Sequence, residues 1–183
     1  MTMKLRHFLL LSMSILTLFA SCFSCRLTPK PKRPLVSVYY HYGSQMLPWP
    51  SVSIRVNQDS TGITAIVFDR DSIRYGCYRI HDEALMQKLT DVIMQHKMYR
   101  YKRSYINPYV LDGDSWGFGA TFHDSTSTLD TYEEDHFSSG GSNRWPKGDG
   151  LRELSRVLKE AMQSAELLYH CDEEGARLTE VEE

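Results

Sequence analysis

The sequence has little excess charge of either sign. Lys and Arg number 21 against 23 Asp and Glu, a net charge of -2 over 183 residues. A dedicated nucleic-acid binder carries a strong basic excess, so nucleic acid is not expected as a partner. Proline and glycine are sparse, at 7 and 11 residues, which excludes a collagen-like or linker-dominated chain. The longest apolar run, Phe8 to Phe19, falls short of the ~20 residues that a membrane-spanning helix needs. Several chemical signatures are missing as well. There is no G-x-x-x-x-G-K-[ST] phosphate loop, no G-x-S-x-G nucleophile elbow and no H-E-x-x-H zinc pair. What remains is an ordinary globular composition, 42% hydrophobic and 11% aromatic, which excludes wholesale disorder. The length suits one domain.

The first 25 residues read as an address. Lys4, Arg6 and His7 form a basic head without acids, and Phe8 to Phe19 is apolar except for Ser12, Ser14 and Thr17. Small residues Ala20 and Ser21 follow. Basic head, apolar centre of about 7–15 residues and a small-residue cut site make up a secretory signal. The stretch Leu18-Phe19-Ala20-Ser21-Cys22 resembles the lipobox of bacterial lipoproteins, with Phe19 standing where Leu is usual. The resemblance covers only this leader. It implies that Cys22 becomes the acylated (palmitate-type) N-terminus of a protein held on a bacterial membrane, facing the periplasm or the cell surface. Cys25 is a second candidate, with Phe23 where a small residue is expected. Removal of residues 1–21 leaves 183 − 21 = 162 residues and, with Lys4 and Arg6 gone, a net charge of -4. Two or more acyl chains anchor firmly, since each buried methylene adds about 0.8 kcal/mol.

Residues 22–34 are expected to be a tether. Pro29, Pro31 and Pro34 favour an extended, semi-rigid spacer. Arg26, Lys30, Lys32 and Arg33 place positive charge next to the membrane, as headgroup contacts or as a solvated linker. Export opens the way to disulfides. Cys77 and Cys171 form either a bridge or two small buried hydrophobes, because sequence separation says nothing about distance.

Residues 35–170 are read as one α+β domain, an antiparallel sheet with two helices packed on one face, in the order strands, helix, strands, helix. Leu35 to Tyr42 is a first strand, ended by Pro48-Trp49-Pro50. Val52, Ile54 and Val56 alternate with polar residues, and the run 63–68 and the segment 73–80 continue a meander. Asp59 to Gly62 and Asp69 to Ser72 supply its turns. Leu85, Leu89, Val92 and Ile93 recur at helical spacing, predicting a helix over 83–97 capped by Asp82. In 98–106, tyrosines 99, 101 and 105 share one face and Arg100 and Lys102 the other. Trp116, Phe118, Ala120 and Phe122 point one way in the next strand. The small residues Gly117 and Gly119 point the other way, where the chain itself or a ligand must come close. A last strand is expected near 128–137, then a Gly-rich loop over 138–150. A second helix is expected over 150–169, capped by Asp149 and striped by Leu151, Leu154, Leu158, Met162 and Ala165. Residues 171–183 read as a frayed acidic tail.

No catalytic, metal or cofactor site is expected. Asp149 would repel an anion at the second helix start, which weakens a phosphate reading of the glycine loop. His123 with Asp124, and Asp135 with His136, are adjacent on strands and so point to opposite faces. Ser139 before Gly140-Gly141 lacks the elbow pattern, and Glu133 and Glu134 fail as paired carboxylates for the same geometric reason. Asp112 and Asp114 lack the further ligands of a calcium loop. The expected function is a non-enzymatic envelope lipoprotein acting as an interaction or binding module on another envelope protein or a glycan. Its alternative is a glycan- or peptide-binding domain using the 138–149 loop, with Trp145, Asn143, Arg144 and Tyr109 as ligand-binding candidates. A small hydrolase is the less favoured alternative.

Overall fold

The computed structural model describes residues 30–44, 47–107, 109, 113–123, 135–142 and 144–178. The expected signal, Cys22, Cys25, most of the tether, Asn143 and the last tail residues lie outside the described residues. Among the described residues no helix is long and apolar enough to cross a membrane.

The expected first strand and the expected meander over 51–80 join as β1 (Leu35–Ser44), β2 (Val52–Asp59), β3 (Gly62–Asp69) and β4 (Arg74–Ile80), each antiparallel to the next. Their turns follow from local chemistry. Asp59 accepts from the Thr61 N–H at 2.7 Å and its hydroxyl at 2.6 Å, and Gly62 takes a φ of +131°. Asp69 accepts likewise from Asp71 and Ser72. Helix α1 (Leu85–Gln95) comes next, preceded by a turn in which Asp82 accepts the Ala84 N–H. Lys97, at φ +50°, ends it and starts a 3₁₀ turn over Met98–Arg100. The second half adds β5 (Ser104–Ile106), β6 (Asp114–Phe122), β7 (Asp135–Ser142), helix α2 (Gly150–Met162) and β8 (Glu166–Cys171). All eight strands join one sheet in the order β5-β7-β6-β1-β2-β3-β4-β8.

Register places Val38 opposite Val56 and Ala120, and Tyr40 opposite Ile54 and Phe118. Residues opposite one another share a sheet face. Trp116, Phe118, Phe122, Leu85, Leu89, Ile93, Leu154 and Leu158 are sealed from solvent in the cluster that holds Val38 and Val56. Each such side chain contributes about 1.5–3 kcal/mol of burial.

Five expectations need correction. The sheet is mixed rather than antiparallel throughout, because the short β5 pairs parallel with β7. Residues 128–134 of the last expected strand lie outside the described residues, and the strand before α2 runs over 135–142, so Ser138 to Ser142 of the expected loop are ladder residues. Facing the aromatic β6, they supply its missing hydrogen-bond partners. Helix α2 stops at Met162, and 166–171 becomes β8. The stripe of apolar residues continues, but β4 offers an unpaired edge, and pairing with it overrides helical spacing. The described part of the tail, 171–178, is folded back on β8: Asp172 accepts the N–H groups of Glu174 and Ala176, and Leu178 donates back to the His170 carbonyl. Nor do the helices form a pair laid side by side on one face. α1 seats against β1, whereas the main backbone neighbour of α2 is α1 itself. Their join includes His96 Nε2 and Glu153 Oε2 at 2.7 Å.

Candidate functional site

The site is built outward from Trp116. Its indole is 1% exposed, and Nε1–H donates to the Arg144 carbonyl at 2.8 Å. Gly141 lies directly opposite Trp116 in the β6–β7 ladder. A Cβ there would come within 2.6 Å of Nε1 and of the Tyr105 carbonyl, so glycine is the residue that lets the indole lie across the strand. Fixing the Arg144 carbonyl fixes the next residue. Trp145 stacks on Trp116 with centroids 5.5 Å apart and planes 17° from parallel. Tyr42 flanks the same ring at 5.9 Å. Trp145 is still 42% exposed.

That exposed part opens on a groove of about 880 Å³ between β1 and α2. Tyr40, Tyr42 and Trp145 form its aromatic side, and Arg152, Ser155 and Gln163 are among the polar residues of the facing helix. Burial raises the Tyr40 hydroxyl pKa, and the hydroxyl bonds Ser155. A bond to the Asp114 carboxylate holds the Tyr42 proton in place and raises that pKa too. Both phenols therefore stay protonated at physiological pH, the Tyr42 proton being engaged by Asp114. An aromatic side facing neutral groups and charges of both signs, Asp149 and Glu160 among them, can hold a flat, hydroxyl-rich or amide-rich ligand. The volume lies in the range of small-molecule clefts, about 300–1,000 Å³.

Of the four candidates named from the sequence, Trp145 lines this groove and Arg144 serves it through its backbone carbonyl. Tyr109 is 93% exposed and is not among the lining residues, and Asn143 lies outside the described residues. Sequence reasoning missed Tyr40 and Tyr42 and the whole α2 contribution. The spacing of Arg152, Ser155, Lys159 and Gln163 marks one helical face, but nothing local says which polar face meets an aromatic loop.

Two of the other depressions among the described residues bear on the expectations. One, of about 460 Å³, lies over the strand residues in the opposite phase: Ser37, Tyr39, His41, Arg55, Gly117 and Gly119. Here the chain itself makes the close approach that the small residues of β6 required, because the His41 ring would sit 2.3 Å from a Cβ at Gly117. His41 Nδ1 and the Tyr39 hydroxyl share a short hydrogen bond, and burial lowers the His41 pKa. Arg55 rests over the Tyr39 ring at 5.7 Å. The other depression lies between the helices, at about 580 Å³. Its lining carries four acids, Asp82, Asp91, Glu153 and Glu160, against two bases, with Lys88 on Asp82 at 2.7 Å and Arg156 on Glu160 at 2.8 Å. Ser139 is buried and donates to the Lys102 carbonyl at 2.6 Å, which ties β7 to the chain before β5.

No protein-family model matches the chain, and no curated protein or solved structure matches it either.

Proposed function

We propose that the chain is a non-enzymatic, lipid-anchored protein of a bacterial envelope whose folded part binds a saccharide in the groove beside Trp145. The anchor reading is supported by the basic head, the apolar centre and the lipobox-like Leu18 to Cys22. The binding reading is carried by one observation. An indole is backed by a second, buried indole, yet 42% of it remains open at the mouth of a groove with polar residues on its far side. Leaving a tryptophan exposed forgoes burial free energy. Backing it rigidly lowers the entropy lost when a ring stacks on it. Sugar rings present apolar C–H faces to such a platform, and their hydroxyls suit Arg152, Ser155 and Gln163.

The test is binding of the full-length protein, solubilised in detergent, to an array of envelope and surface glycans, followed by titration with the soluble oligosaccharide that scores highest. Trp145→Ala should weaken that affinity about tenfold, the upper end of what one aromatic contact contributes. Arg55→Ala, on the other strand phase, should leave it unchanged. Capture of extended peptides instead of saccharides, with the same loss in Trp145→Ala, would favour the peptide-binding alternative. Retention of full glycan affinity by Trp145→Ala would remove the groove from consideration.

A further inference from the structure

We infer that Cys77 and Cys171 are an oxidisable pair that closes to a disulfide on meeting a thiol oxidant, fastening the edge strand β8 to β4. The two residues lie 94 apart in sequence, but the fold brings them together. In the β4–β8 ladder Tyr75 faces Cys171 and Cys77 faces Tyr169, so both thiols project from one sheet face on a diagonal of the antiparallel pair. Their sulfurs are 2.6 Å apart, closer than two unbonded sulfur atoms rest. Cys77 is 7% and Cys171 1% exposed. The returning turn covers them: Gly175, at φ +93°, puts its carbonyl 3.8 Å from the Cys77 sulfur. A Cβ at Gly175 would meet Ile66 at 2.8 Å, so the lid is fitted closely.

β8 has good use for a fastening. It is the terminal strand of the sheet, it is only six residues long, and Leu167 and Leu168 are 45% and 37% exposed. Such an edge has little burial to hold it in place. A covalent link at its last residue would also pin the turn over 172–177.

The chemistry is thiol–disulfide exchange. A thiolate of the pair attacks the disulfide of the oxidant, a dithiol oxidoreductase in an envelope or oxidised glutathione in the test tube. One thiol leaves as the mixed disulfide forms. The second cysteine then displaces the other thiol. The pair thus gives up two electrons and two protons, and the oxidant's disulfide is reduced to two thiols. Burial and the neighbouring thiol push the Cys171 pKa up to about 12, so that thiol is a poor nucleophile once covered. The bond accordingly forms while β8 is docking, and afterwards it resists reductant in the native state.

The bridge does not depend on the saccharide reading. Its occurrence in the cell rests on the export reading, and the experiment separates the two. Purified, reduced full-length protein is unfolded in urea, refolded with oxidised and reduced glutathione, and then alkylated in denaturant. The expected products are a Cys77–Cys171 linked peptide and no alkylation at either position until reductant is added. Relative to the oxidised protein, the reduced protein and the Cys77→Ala/Cys171→Ala double variant should both melt about 5–15 °C lower. Recovery of both residues fully alkylated after oxidative refolding would overturn the inference. So would equal melting temperatures for the oxidised and reduced forms. Protein taken from cells through an acid quench tests only the compartment: free thiols there, with a bridge formed in glutathione, would overturn export and leave the bridge standing.

Discussion

Gly141→Ala tests how the aromatic site is assembled. The added methyl would lie 2.6 Å from Trp116 Nε1, 2.6 Å from the Tyr105 carbonyl and 2.8 Å from the Arg144 carbonyl. Two of these three atoms are backbone and cannot swing aside. The indole must move, which breaks the 2.8 Å bond from Nε1 to Arg144. Leaving a buried donor unmatched costs about 1–3 kcal/mol. Overpacking the β5–β7–β6 contact adds about 1–3 kcal/mol. The sum, about 2–6 kcal/mol, is a large share of the ~5–15 kcal/mol that holds a domain together. Gly148→Ala is the matched control. Gly148, unlike Gly141, takes a positive φ, +98°, but nothing lies within 4 Å of its Cβ position, so only backbone strain of about 1–2 kcal/mol is at stake. Urea unfolding followed by tryptophan fluorescence reads both variants, and the midpoint should fall much further for Gly141→Ala. Trp116→Phe, which removes the donor and keeps a ring, should lose about 1–3 kcal/mol by orphaning the Arg144 carbonyl. A Gly141→Ala protein within ~0.5 kcal/mol of the wild type would refute the account of how Trp145 is held.

Acid should weaken the fold through His41. Burial lowers its pKa, and Arg55 and Arg103 line the same depression. The unfolded residue, with a pKa near 6.5, therefore binds its proton at higher pH than the folded one. This contribution is complete above pH ~6.5 and is lost as pH falls below it, so His41→Gln should flatten the decline of melting temperature between pH 7 and pH 5. On the proposed anchor, Cys22→Ala should shift the protein from the membrane pellet to the soluble fraction after cell fractionation. Persistence in the pellet after a carbonate wash would count against lipid attachment at that residue.

The sequence by itself determined the local order of the chain. The alternation of Val52, Ile54 and Val56, the Asp-containing turns at 59–62 and 69–72, the helical spacing from Leu85 to Ile93 and the aromatic face of β6 all act over a few residues. The corresponding elements appear where those patterns lie. The elements misjudged are those whose state depends on a distant partner. The stretch 166–171 continues the apolar pattern of α2, yet it is a strand because the edge of β4, some ninety residues earlier, offers it a ladder. The glycine-rich 138–142 reads as a loop by composition, yet it is a strand because β6 requires a neighbour that lets Trp116 cross it. The same division runs through the site. Trp145 was legible as an aromatic residue in a Pro- and Gly-rich segment. The buried indole behind it, the tyrosines of β1 and the polar face of α2 are brought to it by strand order and helix packing, and contacts closed over such long sequence separations leave no periodic trace in the chain.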